Sequence, residues 1–192
     1  MADESVAAVH ALGRRNPGWH HPKLTFHTVD FSALPALPPV HEVYLALGTT
    51  IKVAGSQSAF RAVDFDANLA VARAARAGGA TRIGLVSAMG ANSRSPLFYN
   101  RVKGELEEAL TALRFGTMVV ARPSVLVGDR AALGQPERSG ERLALRVSKL
   151  LHLVIPKAVR AIAAEDVARA LLRAVPRSTG DQLLLSGEMQ PD

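Results

Sequence analysis

The sequence predicts an α/β fold, a doubly wound parallel sheet with helices on both faces. Two observations carry this expectation. Short segments that are apolar throughout, Val43–Leu47 (VYLAL), Ile83–Ser87 (IGLVS) and Met118–Ala121 (MVVA), read as strands buried on both faces. Between them lie longer segments with apolar residues at helical spacing, the alternation that builds a parallel sheet.

Each element has its own local reason. Val6–Leu12 (VAAVHAL) reads as a buried strand closed by the polar run Gly13 to Pro17. Lys23–Asp30 (KLTFHTVD) alternates apolar and polar residues, a second strand. Pro35–Pro39 is a proline-punctuated loop before strand Val43–Leu47. Phe60–Ala77 places Phe60, Val63, Ala67, Val71 and Ala74 on one helical face and stops at Gly78–Gly79. Pro96–Leu113 is a helix rich in Glu and Lys, and Leu143–Leu151 an amphipathic one. Ala164–Val175 carries Glu165 and Asp166 in its first turn, where a helix dipole favours acids. Leu183–Leu185 is a last short strand.

The 192 residues fit one domain, and the absence of cysteine excludes a disulfide scaffold, a Cys-ligated metal and a thiol nucleophile. The apolar runs fall short of the roughly 18 residues of a membrane span, and the opening MADES is acidic where a signal peptide is basic, so the expectation is a cytoplasmic chain with no membrane partner. Lys plus Arg is 23 against 17 Asp plus Glu, a net +6. That excess is arginine dispersed through helices, with no basic run and few aromatic residues for base stacking, which argues against nucleic acid. The six His form no H-E-x-x-H pair, so no metal is expected, and neither a G-x-S-x-G elbow nor a P-loop occurs.

Ligands on such sheets sit beyond the carboxyl ends of the strands. There the sequence places Tyr99 and Lys103, a Y-x-x-x-K one helical turn apart. An ammonium beside a phenol favours the phenolate and makes Tyr99 usable as a general acid/base. Ser87, at the end of strand Ile83–Ser87, can donate to a substrate oxygen that Tyr99 protonates. Arg14 and Arg15 follow the first strand, where arginine accommodates a 2′-phosphate and an acid would bind the free 2′-hydroxyl; NADP is favoured over NAD. Asp30 and Phe31 can line an adenine. Leu47, Gly48, Thr49 and Thr50 offer close backbone approach and two hydroxyls. Plainer readings stand beside these: a surface pair for Tyr99 and Lys103, a turn cap for Ser87, solvated turns for the rest.

Three stretches, ALGTTIKVAGSQSAFRAVDFD (46–66), LVSAMGANSRSPLFYNRVKGELE (85–107) and VARPSVLVGDR (120–130), together with IPKAVRAIAAEDVARALL (155–172), resemble the atypical or extended short-chain dehydrogenase/reductases, in the branch similar to Tat-interacting protein. The resemblance implies a Rossmann-like domain over residues 1–192 that binds NADP(H) and acts on a small carbonyl or alcohol. It implies Tyr99 as general acid/base, Lys103 on the nicotinamide ribose and the phenol, Ser87 orienting the carbonyl, and Arg122 and Pro123 beside the nicotinamide. Some members of this branch act as regulators, so the same fold also admits a non-catalytic binding module with weak or no cofactor binding. The helix Pro96–Leu113 offers a face for a homodimer.

One departure is marked. The family opens with a strand, a G-x-x-G-x-x-G turn that cradles pyrophosphate, and a helix. No such motif occurs in this sequence, and Val6–Leu12 aligns with the family's second strand. The expectation is therefore a Rossmann-like sheet lacking the usual first strand and first helix, a unit of roughly 25–30 residues. Strands Val6–Leu12 and Val43–Leu47 would each lose a neighbour.

Overall fold

The computed structural model describes residues 4–127 and 159–190. Strands β1 (Val9–Gly13) and β2 (Leu24–Thr28) pair in parallel, Val9 opposite Leu24. Next come β3 (Glu42–Leu45), β4 (Arg82–Val86), β5 (Thr117–Arg122), the short parallel pair β6 (Leu126–Val127) and β7 (Ile162–Ala163), and β8 (Gly180–Leu185). The main sheet is parallel throughout, in the order β3-β4-β5-β8. Its register sets Leu45 opposite Leu85, Leu85 opposite Val120, and Val120 opposite Leu183.

The helices are α1 (Ile51–Ala54), α2 (Gln57–Arg61), α3 (Asn68–Ala77), α4 (Phe98–Thr111), α5 (Ala164–Ala174) and α6 (Ser186–Met189), with a π-helical stretch, Ala62–Ala67, joining α2 to α3. Side chains alternate along β5, and so do the two cores. Met118 and Val120 face one core, with Ile83, Leu85 and Leu45 of the neighbouring strands, Leu69 and Ala72 of α3, and Leu106 and Leu110 of α4. Val119 and Ala121 face the other, against Val167, Ala170 and Leu171 of α5. Each large side chain so buried contributes about 1.5–3 kcal/mol. The doubly wound, Rossmann-like architecture is thus the consequence of strands apolar on both faces.

Among the described residues β1 and β3 share no ladder. The chain makes two separate sheets on this side, as expected where each strand lacks a neighbour. The smaller sheet joins the main core through side chains instead: Leu12, Phe31 and Leu34 pack against it.

Boundaries differ from the sequence reading for local reasons. The first strand starts at Val9, where its N–H finds the Lys23 carbonyl. The helix predicted from Phe60 starts at Gln57, because the Ser56 hydroxyl caps the Ala59 N–H at 3.1 Å. The elements β6, β7, α1 and α6 are too short to show a period. The predicted helix Leu143–Leu151 lies outside the described residues.

Helix α4 approaches the loop after β4 at Gly104, where a Cβ would stand 2.2 Å from the Ser93 nitrogen. Only glycine permits that approach. Gly104→Ala is expected to lower stability by about 1–3 kcal/mol, read from the midpoint of chemical denaturation.

Candidate active site

Three elements meet at the carboxyl end of the main sheet: the loop after β3, the π-helical stretch and α4. The loop Leu47–Thr50 is fixed from below by side chains. Asn68 Nδ2 donates to the Leu47 carbonyl at 3.1 Å, and Asp64 Oδ2 accepts the Thr49 N–H at 2.8 Å. The Thr50 hydroxyl then caps α1 by accepting the Val53 N–H. Asn68 Nδ2 also meets the Val63 and Asp64 carbonyls, while its Oδ1 has no partner among the described residues.

On α4, Tyr99, Lys103 and Glu107 follow one another at intervals of four, so they share a face. The Lys103 side chain is only 5 % exposed and its ammonium lies 2.7 Å from Asp64 Oδ1, itself on a side chain 1 % exposed. A buried ammonium without such a partner would be strongly unfavourable. Tyr99 is partly exposed, its ring 5.6 Å from that of Phe60. Gly48 sits over the ion pair: a Cβ there would lie 3.5 Å from Asp64 Oδ1 and 4.0 Å from Lys103 Nζ.

Ser87 stands where expected, after β4, and its N–H extends the ladder to the Ala121 carbonyl. Its hydroxyl donates to Glu107 Oε1. Glu107 also binds Arg122, whose Nε donates to Oε1 at 3.1 Å and whose second terminal nitrogen meets Oε2. The Glu107 hydrogen bonds raise the Arg122 guanidinium above its ordinary value, so it is a fixed cation. Pro123 contributes its carbonyl to the Met89 N–H, tying the loops after β4 and β5 together. A cleft of about 490 Å3 opens between Ala91–Ser93 and the α4 residues Gly104 and Glu107, with Arg122 on its wall.

The remaining predicted residues are scattered around this centre. Arg14 and Arg15 are exposed after β1. Asp30 is exposed and accepts both the hydroxyl and the N–H of Ser32, which hold its carboxyl below the ordinary value. Phe31 is turned into the core. Asp64, Asn68 and Glu107 were not singled out from the sequence. Their signal was present: Asp64 and Asn68 lie four apart on a helix face otherwise apolar, and Glu107 lies one turn after Lys103. Among the described residues no group of His, Asp or Glu is arranged to hold a metal ion, and no helix is long and apolar enough to cross a membrane.

No family model matches the chain. It is 41% identical over 140 residues to a protein of Emericella nidulans named fmp52, mitochondrial, and covers 60% of that relative with 68% of its own length. It is 42% identical over 87 residues to FMP52-1, mitochondrial, of Scheffersomyces stipitis, covering 38% of it with 45% of itself. The chain therefore spans only about 38–60% of these relatives. Their name is FMP52, where the sequence resemblance pointed to proteins similar to Tat-interacting protein. Among solved structures, MoeE5 in complex with UDP-glucuronic acid and NAD superposes with a TM-score of 0.66 at 17% identity, over 94% of this chain and 69% of that one. UDP-glucose 4-epimerase of Thermotoga maritima gives 0.63 at 14% identity, over 94% and 69%. These likenesses establish the Rossmann-like fold.

The relatives also correct one expectation. They are named as mitochondrial, which overturns the cytoplasmic reading. The physical reason is plain. A cysteine-free chain without an apolar span suits any reducing compartment equally, so composition carried no address.

Glu107 is the hub between Ser87 and Arg122. Glu107→Gln is expected to cost about 1–2 kcal/mol, less than a fully buried pair because Arg122 is partly exposed, and to lower the thermal midpoint without loss of helical circular dichroism.

Proposed function

We propose that this chain is an NADP-dependent oxidoreductase-like protein of the short-chain dehydrogenase/reductase kind, acting on a small carbonyl or alcohol. One observation carries the reading: a lysine buried beneath the Leu47–Thr50 loop, one helical turn after Tyr99, with Ser87 at the adjoining strand end.

The residues fit the nicotinamide and ribose end of such a cofactor. Gly48 is exposed and free of a side chain, so a ring or ribose can approach the backbone closely. Thr49 and Thr50 would supply hydroxyls, Lys103 an ammonium, and Arg122 and Pro123, at the end of β5, would stand beside the nicotinamide. Asp30, Phe31, Arg14 and Arg15 would serve the adenosine end, the two arginines favouring a 2′-phosphate. The cofactor, when bound, supplies or accepts a hydride.

The chain's own residues then handle oxygen and proton. Tyr99 gives its phenolic proton to the carbonyl oxygen in reduction and takes it back in oxidation. The Lys103 ammonium favours the phenolate form that the reverse direction needs. Ser87 hydrogen-bonds the same oxygen once its hydroxyl turns from Glu107. MoeE5, which shares the fold, is complexed with NAD and a nucleotide sugar, which supports a nicotinamide cofactor here and a small-molecule substrate.

A second reading has its own support. The Ser87 hydroxyl is already engaged by Glu107. This favours a binding or regulatory module with weak or no cofactor affinity. Titration of NADPH and NADH, followed by nucleotide fluorescence, decides between them. Saturable binding is expected, tighter for NADPH, with Arg14→Ala/Arg15→Ala reducing that preference. Tyr99→Phe should keep the binding and lose turnover against a panel of carbonyl compounds. No saturation up to millimolar nucleotide would leave the binding-module reading standing.

A further inference from the structure

Asp64 has no part in the proton transfer just described, yet it is among the most buried charged side chains of the described residues. It lies within the π-helical stretch Ala62–Ala67, a rare geometry that concentrates at functional sites. Both of its carboxylate oxygens are committed. Oδ1 meets the Lys103 ammonium at 2.7 Å, and Oδ2 accepts the Thr49 N–H at 2.8 Å.

We infer that Asp64 is the positioning residue of this site: it pairs with the buried Lys103 ammonium, holds it in place, and ties it to the loop after β3. This rests on the reading of Tyr99 and Lys103 given above. The surrounding charges leave the task to Asp64. Arg61 is bound by Glu105, Glu107 by Arg122, and Arg101 donates to the Ser95 carbonyl. Arg76 is directed at the Leu113 and Arg114 carbonyls, and Asp66 and Arg73 are exposed.

Two effects of removing the carboxylate oppose each other, and burial decides which wins. Loss of a nearby anion, by itself, would make the Tyr99 phenol easier to ionise. Loss of the counter-ion also strands an amine whose side chain is 5 % exposed, and a stranded amine in a dry site sheds its proton. With the ammonium gone, the phenol loses its support. Because the lysine is almost fully enclosed, the second effect dominates. Asp64→Asn should therefore act in the same direction as Lys103→Met.

The chain offers a direct readout. It has two tyrosines, Tyr44 and Tyr99. Burial, and then the Glu42 carboxylate that accepts the Tyr44 hydroxyl at 2.7 Å, push the Tyr44 phenol up, and Tyr44→Phe removes its signal altogether, so tyrosinate absorbance in that background reports Tyr99.

The experiment is a spectrophotometric tyrosinate titration of the intact chain carrying Tyr44→Phe, without nucleotide, for the parent, Lys103→Met, Asp64→Asn and the double variant. The expected result is an upward shift of the Tyr99 midpoint of about one pH unit in Lys103→Met and a shift of the same sign in Asp64→Asn. A Tyr99 midpoint that Lys103→Met leaves unmoved would sink the Tyr99–Lys103 reading itself. An upward shift in Lys103→Met with a downward or absent shift in Asp64→Asn would leave that reading intact and overturn the role given to Asp64. If Asp64→Asn alone fails to fold by circular dichroism, the double variant decides: folding restored by removing the stranded lysine supports the pairing, and failure of both shows that Asp64 serves the Thr49 loop and overturns it.

Discussion

Lys103 sits on the inner face of α4, and moving an ammonium from water into such a place costs several kcal/mol unless a partner meets it. Asp64 meets it, and much of the local structure follows from that meeting. The carboxylate must come from the adjoining helix at the right height, which the π-helical stretch provides. Its second oxygen needs a donor, which Thr49 provides. The loop after β3 is thereby drawn down onto the pair, and Asn68 clamps it from the next turn through the Leu47 carbonyl. A loop that would otherwise be a solvated turn becomes a fixed surface. Stranding either member of such a pair typically costs about 3–5 kcal/mol, so pair, loop and helix hold one another in place.

A second polar unit lies one turn further along α4. Glu107 gathers the Ser87 hydroxyl and the Arg122 guanidinium. It joins the ends of β4 and β5 to α4 much as Asp64 joins the end of β3 to it. The carboxyl edge of the sheet is thus held by two carboxylates, each using both oxygens. These bonds run between elements apart in sequence, Lys103 lying 39 positions after Asp64 and Glu107 20 positions after Ser87. They join elements that the hydrophobic core also packs together, so the polar and apolar contacts favour the same geometry.

How much of this was legible in the sequence depended on the range of the interactions. The parallel sheet was, because an all-apolar strand such as Ile83–Leu85 needs cover on both faces wherever it occurs. Helix ends were, because Gly78–Gly79 and the acids at Glu165 and Asp166 act locally. The placement of Tyr99 and Lys103 on one helix face and of Ser87 at a strand end was, because helix spacing and strand ends can be counted. The apolar face around Asp64 marked it as unusual, but its pairing with Lys103 was not legible, since only the fold brings the two together. The same holds for Glu107, which reads as one more surface acid in the run Glu105, Glu107, Glu108. The separation of β1 and β3 followed from topology, but the way Leu12, Phe31 and Leu34 bridge it is a matter of packing. The compartment was not legible at all, because nothing in the packing of a core depends on it.

The π-helical stretch has a consequence in helical phase. A π turn holds one residue more than an α turn, so it rotates everything upstream by about 100° relative to everything downstream. Phe60, which packs against Tyr99, and Asn68, which clamps the loop, lie on opposite sides of that offset and still face the same site. Deleting one residue between Ala62 and Ala67 would restore regular α-helical bonding. It would also turn either the aromatic wall or the amide clamp a quarter-turn and more away from α4. A chain one residue shorter at this point would make a better helix and a worse site.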